Sequence, residues 1–456
     1  MNESELRDAL EAARNKHHIP GLSAALYLDD AVVAASCGVT NVVSGVQMTT
    51  DAIMHIGSIT KIFNATLLMQ LVDAGVVSLA RPAIEYLPEL RLRDRKALRK
   101  ITVEQLVNHT SGIDGNLLPD AGHDEETLDL TIERFADFGQ LHLPGAARSY
   151  CNAGTVIAGY LCQRMTGKSW YDLVKDRIFR PLGLNHAVVL PEDALLYRSS
   201  IGHFIDGTTG VPRRTSKAFL SLGFAPAGST AMMSAKDLLT FVRMHLEGGV
   251  GPDGTRIITN DSAVSMRRIS GNIAGPSCFD CGISWMLLPG GLVHHGGGGP
   301  GILSWFVAHP PTRTIAVVMT NADNGFMAVN EVIGPIIETH LGLTPFPAAV
   351  RIATDPDADL SPYVGSYENN TVIYRITARD GRLHWSAQAK AMYADASPLE
   401  EQPPVPLVPA EDGLFLTDAQ GVDKNYAGRI TMRFAAPVNG KMEYLIQSYR
   451  MHRRCE

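Results

Sequence analysis

From Ile62 to Val72 the apolar residues fall almost all round a helical wheel, and Gly75 follows as a stop. A helix that is apolar on every side cannot lie on a surface, so this stretch predicts a helix buried in the centre of its unit. The chain has 456 residues, 45% apolar and 19% charged. That is ordinary globular composition, ample for a sizeable core and too long for a single ordinary one.

The elements around that helix suggest how it is covered. Leu6, Ala9, Leu10 and Ala13 recur at helical spacing over 4–14, before His17, His18 and Pro20 end the pattern. LSAALYL (22–28) and AVVAASC (31–37), separated by Asp29 and Asp30, predict a hairpin of two sheet strands. Helical segments are expected at 102–109, 130–137, 153–165 and 169–179, the last closed by Pro181-Leu182-Gly183, and again at 235–247. Strand-like runs return at 281–288, 302–309 and 314–320. Strands at both ends of a helical middle make an α+β unit over 1–345, whose antiparallel sheet comes from its two ends and is flanked by helices, with an all-helical subdomain.

After Leu343 the character changes. Pro345, Pro347 and ATDPDADLSP read as a linker over 346–362. Residues 363–456 then offer short alternating runs (TVIYRIT, RLHWSA, GLFLTD, RITMRFA, MEYLIQSY) with turn residues between them and no helix, which predicts a small all-β barrel.

A formal charge of −7 supplies no large basic surface, which argues against nucleic acid as a partner. No segment has the roughly 18 uncharged apolar residues of a membrane span. The opening MNESELRDALEAARNKHHIPG lacks the basic start and apolar run of a signal peptide, so no membrane partner and a cytoplasmic location are expected. Cys37, Cys151, Cys162, Cys278, Cys281 and Cys455 are too sparse for a disulfide framework. Cys278 and Cys281 form one C-x-x-C without the second pair that zinc requires, and no metal or organic cofactor is expected.

Three local patterns carry chemistry. In Gly57-Ser58-Ile59-Thr60-Lys61 the three-residue spacing puts Ser58 and Lys61 on one face of the first turn of the buried helix. A serine can give its proton to such an amine if burial among Ile62, Phe63 and neighbouring cationic groups keeps Lys61 neutral part of the time. In Ser149-Tyr150-Cys151-Asn152, alternate residues of an extended segment share a face, so a phenol and an amide can converge on one cleft; a core aromatic and a helix cap are the structural alternatives. The run His295-Gly296-Gly297-Gly298-Gly299-Pro300-Gly301 stands directly before the strand at 302–309, where glycines allow close backbone approach and leave amides free to donate, or make merely a flexible turn. No Gly-Lys-Ser/Thr or following helix marks it as a phosphate cradle.

Together and in this order, the three patterns resemble the penicillin-recognising serine enzymes: serine β-lactamases, DD-peptidases, D-aminopeptidases and related esterases. TVEQLVNHTSGI (102–113), LPGAARSYCNAG (143–154), FRPLGLNH (179–186) and PAGSTAMMSAKDL (226–238) extend the resemblance over roughly residues 5–345, and the tail from YVGSYE (363–368) is similar to the lipocalin-like domain appended to many members. The resemblance implies a β-lactamase/transpeptidase-like fold, Ser58 as the acylated serine and Lys61 as the lysine beside it. It further implies Tyr150 as a proton shuttle between nucleophile and leaving group, and Asn152 as the amide that holds lysine and substrate. His295 stands where β-lactamases and DD-peptidases usually carry lysine, the form seen in aminopeptidase-like and esterase-like relatives. His294 leaves the register open, although the spacing to Pro300-Gly301 favours His295. Backbone amides of Ser58 and Gly298 would form the oxyanion hole. The expected activity is a serine hydrolase acting on a small peptide, D-residue-containing ones included, through an acyl-enzyme. The alternatives are a carboxylesterase, a thioesterase that releases or macrocyclises a peptide from a partner carrier protein, and a catalytically dead peptide sensor. Residues 114–142 and 190–225 are the expected pocket walls.

Overall fold

The computed structural model describes residues 1–116, 120–122, 126–346, 352, 358–390, 403–417 and 431–455. A seven-stranded antiparallel sheet organises the first part, in the order Ala31–Gly38, Gly21–Leu28, Thr314–Thr320, Ile302–His309, Val293–Gly299, Met286–Leu287, Asp280–Cys281. The two ends of the unit therefore meet in the middle of the sheet, Leu22 opposite Thr320 and Tyr27 opposite Ile315. Every residue of Gly21–Leu28 is buried because both faces are covered. Leu22, Ala24 and Leu26 pack with Leu6 and Leu10 of the helix Glu3–Lys16 and with Val329 and Ile333 of the helix Phe326–Leu341. Ala25 and Tyr27, on the other face, join the larger core around the helix Thr60–Asp73.

That helix is the one expected from its all-round apolar pattern, and it is buried along most of its length. Its one fully buried amide, Asn64, is satisfied on both sides: Nδ2 donates to Thr155 O at 2.9 Å and Oδ1 accepts from Trp170 Nε1 at 2.8 Å. The helices Asn152–Thr166 and Trp170–Val174 are thereby tied to the central one. The expected helix over 169–179 is regular only to Val174 and continues as a wide π turn over Lys175–Phe179.

Two other expectations are corrected, and one helix was not foreseen. The glycine run is neither loop nor turn: Val293–Gly299 is a strand paired along its whole length with Ile302–His309. Gly297 is required by proximity, since a β-carbon there would fall 1.7 Å from Ile56 O. The run at 281–288 is two short strands, with Ser284 at φ +59 between them. The unforeseen helix is Phe326–Leu341, which carries Gly334-Pro335, ordinarily a helix breaker, in its interior.

Among the described residues, eight antiparallel strands form a closed barrel in sequential order, the first, Gly365–Glu368, closing on the last, Arg450–Arg454. Up-and-down order with full closure is lipocalin-like architecture and leaves no free sheet edge. Tyr367, Ile376, Leu383, Leu407, Phe415, Met432 and Leu445 are buried in its core. Two barrel strands expected from alternation, GLFLTD and RITMRFA, run partly outside the described residues, as does the linker at 346–362.

The barrel leans on the first unit through Tyr444, Ile446 and Met451, which pack with Leu141 and Ala147. Asn370 Nδ2 donates to Asp114 O at 2.7 Å and Met451 N to Ser149 Oγ at 3.1 Å. No helix among the described residues is long and apolar enough to cross a membrane. Trp170 is 0% exposed and braces the central helix. Trp170→Ala is expected to cost about 3–5 kcal/mol, read as a lower thermal midpoint; an unchanged midpoint would show that the brace carries no stability.

Candidate active site

The chain enters the site from the short strand Met54–His55 and turns at Gly57, φ +50, into a single 3-10 turn before the central helix. Neighbouring segments pin this turn on both sides. Ser304 Oγ donates to His55 O at 2.6 Å, Ile56 N donates to Ala231 O at 3.1 Å, and a β-carbon on Gly228 would lie 2.1 Å from Gly57 O. A side chain at Gly57 would meet Gly298 N at 2.6 Å, so the Gly298 amide lies against the backbone that carries Ser58. The two amides expected to hold an oxyanion are thus neighbours.

Lys61 projects from the first turn of the helix to within 3.1 Å of Ser58 Oγ, and its Nζ donates to Ala227 O at 2.6 Å. It is 0% exposed. Burial first, and the Arg450 guanidinium second, hold its pKa well below the usual lysine range. Tyr150 is buried and hydrogen-bonded to Ser58, with its ring centre 4.9 Å from Lys61 Nζ. Burial pushes this phenol up to about 12, against the opposing pull of the Ser58 hydrogen bond and of Arg450. Ser58, Lys61 and Tyr150 therefore form one contact group: a serine between a lysine biased toward the free amine and a tyrosine biased toward the phenol.

Strand alternation separates the two histidines. His294 stacks on Trp305 at 5.2 Å on one face of the sheet, whereas the His295 ring is 6.5 Å from that of Tyr150 on the other. His295 Nδ1 hydrogen-bonds to Gly296 O at 2.6 Å, which makes Nδ1 the protonated nitrogen and leaves Nε2 a bare acceptor. Burial, then the charge of Lys61, lowers its pKa to about 3, so the imidazole is neutral. Asn152 begins the helix Asn152–Thr166, half-buried, while the cap is Cys151, whose Sγ accepts from Gly154 N. In this structure the hold on Lys61 that the resemblance assigned to Asn152 is exercised by Ala227 O.

Two participants were not foreseen. Ala227 contributes only a backbone carbonyl, which no side-chain pattern reveals. Arg450 comes from the last barrel strand, about three hundred positions beyond Tyr150 in the chain, and its guanidinium lies 4.8 Å from the centre of the Tyr150 ring. The turn that delivers it, Ser448-Tyr449, has both residues at positive φ, and Tyr449 O accepts from Tyr150 N at 2.9 Å. Of the expected pocket walls, 117–119 and 123–125 lie outside the described residues. Cys278 and Cys281 are free thiols, and among the described residues no group of three or more His, Cys, Asp or Glu side chains is placed to hold a metal.

A serine beside a buried lysine and a tyrosine, on an antiparallel sheet flanked by helices, defines a penicillin-recognising serine enzyme. Residues 6–333 match the Beta-lactamase family, and the chain belongs to that family of hydrolases. It is 32% identical over 377 residues to penicillin-binding protein 4 of Amycolatopsis lactamdurans, covering 79% of this chain and 96% of that one. A β-lactamase of Yersinia enterocolitica is 23% identical over 330 residues, 71% of this chain and 81% of its own. Among solved structures, SurE aligns over 99% of both chains with a TM-score of 0.78 at 22% identity. The D-amino acid amidase of Ochrobactrum anthropi SV3 covers 74% of this chain and 99% of its own, with a TM-score of 0.61 at 23% identity.

A buried lysine is a stability liability whose sign can be tested. Because its pKa is lower folded than unfolded, the folded state binds fewer protons. Folding is therefore penalised at neutral pH, and the penalty fades as pH rises through the unfolded lysine pKa of about 10.4. Lys61→Met should raise the melting temperature at pH 7 and lose that advantage as pH approaches 10. A variant less stable than wild type at pH 7 would mean that Lys61 is held as a well-paired ammonium.

Proposed function

We propose that the protein hydrolyses an amide bond of a small peptide through an ester on Ser58. The observation that carries this reading is the fully buried Lys61 Nζ, 3.1 Å from Ser58 Oγ. With the amine free, Ser58 passes its proton to Lys61 as Oγ attacks the carbonyl carbon, and the carbonyl oxygen becomes an oxyanion received by the Ser58 and Gly298 amides. Collapse breaks the C–N bond, and the leaving amine takes the proton of the Tyr150 phenol, which Lys61 then restores. Water next enters, loses a proton to the same base and releases the acid, returning Ser58 to its hydroxyl. Of the two groups able to act as the initial base, Lys61 fits better, because burial favours its uncharged form and the protonated form of Tyr150. Asn152 and the bare Nε2 of His295 are assigned to the substrate.

Peptides containing D-residues are the favoured substrates. SurE has been crystallised with D-leucine, and the amidase that shares this fold is named for D-amino acids. Neither a metal nor an organic cofactor has a step in this sequence.

The test incubates peptide amides, esters and thioesters of D- and L-residues with wild type and Ser58→Ala, products being weighed by mass spectrometry. Linear acid from the amides, with D-residues preferred and no turnover by Ser58→Ala, is expected. Amides left untouched while thioesters cyclise would replace this reading with a thioesterase served by a carrier protein, and turnover by Ser58→Ala would remove the nucleophile. The kcat/KM of the wild type should rise with pH as Lys61 loses its proton. Since the Arg450 charge lowers the Lys61 pKa, Arg450→Ala should move that limb to higher pH; an unmoved limb would remove Arg450 from the electrostatics of the base.

A further inference from the structure

His109 follows Asn108, the C-cap of the short helix Val103–Val107, in a left-handed conformation, φ +63, and is buried. It makes three contacts with three consecutive residues. Its carbonyl accepts from Ser149 N at 3.0 Å, its Nδ1 accepts from Cys151 N–H at 3.2 Å, and its ring stacks on that of Tyr150, centres 4.4 Å apart and planes 24° apart. We propose that His109 is a positioning residue that holds the Tyr150 phenol at Ser58, an inference that rests on the roles given above to Ser58 and Tyr150.

The contacts say why the residue is histidine. Accepting from Cys151 N–H requires a lone pair on Nδ1, so the ring proton sits on Nε2 and the imidazole is neutral. Nε2 is buried and has no partner among the described residues, which carries a desolvation cost. A phenylalanine would stack without that cost, so what histidine adds is the acceptor that ties down the backbone beside Tyr150. The charges that act on the ring are those of Lys61, His295, Arg148 and Arg450, and the ring of Phe279 meets it edge-on at 5.7 Å. Protonation would destroy the acceptor and add a cation beside two arginines. Burial, reinforced by these neighbours, lowers the pKa of His109 well below the usual histidine range, in keeping with a neutral ring. On its other edge the same segment is held by the barrel, where Tyr449 O accepts from Tyr150 N–H and Ser149 Oγ accepts from Met451 N–H. Tyr150 is thus set between a clamp from its own unit and one from the barrel.

Leaving-group dependence distinguishes positioning from mere support. An amide needs a proton from Tyr150 to expel its amine, whereas fluoride and p-nitrophenolate leave without one. The test compares wild type, His109→Phe, which keeps the stack but loses the acceptor, and His109→Asn, which tolerates positive φ and offers a carbonyl oxygen near the place of Nδ1. Three rates are read: fluorophosphonate labelling of Ser58, hydrolysis of the best peptide amide from the screen above, and hydrolysis of the p-nitrophenyl ester of the same acyl group. His109→Phe should lose about tenfold to a hundredfold in amide kcat with KM little changed, while labelling and ester cleavage fall far less, and His109→Asn should recover part of the amide loss. Equal losses on all three rates, no loss on any, or melting of both variants below the assay temperature would overturn the inference. Failure of wild type to label Ser58, or to cleave any amide, would instead remove the reading on which it rests.

Discussion

Lys61 Nζ lies wholly inside the protein, 3.1 Å from Ser58 Oγ and 2.6 Å from Ala227 O, and the walls of the cleft are those needed to keep it there. An isolated ammonium is costly to bury without a charge partner, so burial lowers the pKa of Lys61 and biases it toward the free amine. The fold supplies the desolvation through a helix apolar on nearly every side, which places its first turn at the centre of the molecule. Arg450 adds a positive charge that pushes in the same direction. The Ala227 carbonyl orients the amine and carries no full negative charge that would draw the proton back.

Backbone approach does the rest of the positioning. Gly57, Gly228 and Gly297 meet within distances that no β-carbon would permit, which brings the turn that carries Ser58, the loop before Ala231 and the strand Val293–Gly299 together at one point. Tyr150 is then introduced from a segment anchored at His109 and at the barrel turn Ser448-Tyr449. The barrel is in this sense part of the cleft: its final hairpin supplies a carbonyl to the Tyr150 backbone and a guanidinium over the Tyr150 ring. A deletion of the barrel would remove both.

Local periodicity made much of this readable before any coordinates. Ser58 and Lys61 share a helical turn, so their proximity follows from spacing alone. The α+β class followed from strands at both ends of a helical middle, and the C-terminal barrel from short alternating runs without a helix. What stayed hidden depends on distant chain segments meeting. The strand character of Val293–Gly299 comes from its neighbour at 302–309 and from Ile56 pressing on Gly297, not from the propensity of four consecutive glycines. The helix Phe326–Leu341 carries Gly334-Pro335 in its interior because packing against the sheet outweighs a local breaker. Arg450 and the Ala227 carbonyl have no local signature at all, and the Tyr150 segment taken alone reads equally as core aromatic plus cap; only the resemblance carried by all three patterns together pointed it to the site, where Lys61, His295 and Arg450 lie around it.

The charge state of Lys61 in the resting protein is the point on which the account stands. Selective 13Cε and 15Nζ labelling of lysine, with the Lys61 resonance assigned from a Lys61→Arg variant, would follow that amine through a titration in the absence of substrate. A resonance already in the free-amine position at pH 8, moving toward the ammonium position only as the solution is acidified, is the predicted result. An ammonium resonance that persists unchanged to pH 10 would contradict the account, because Ser58 would then have no neutral amine to receive its proton.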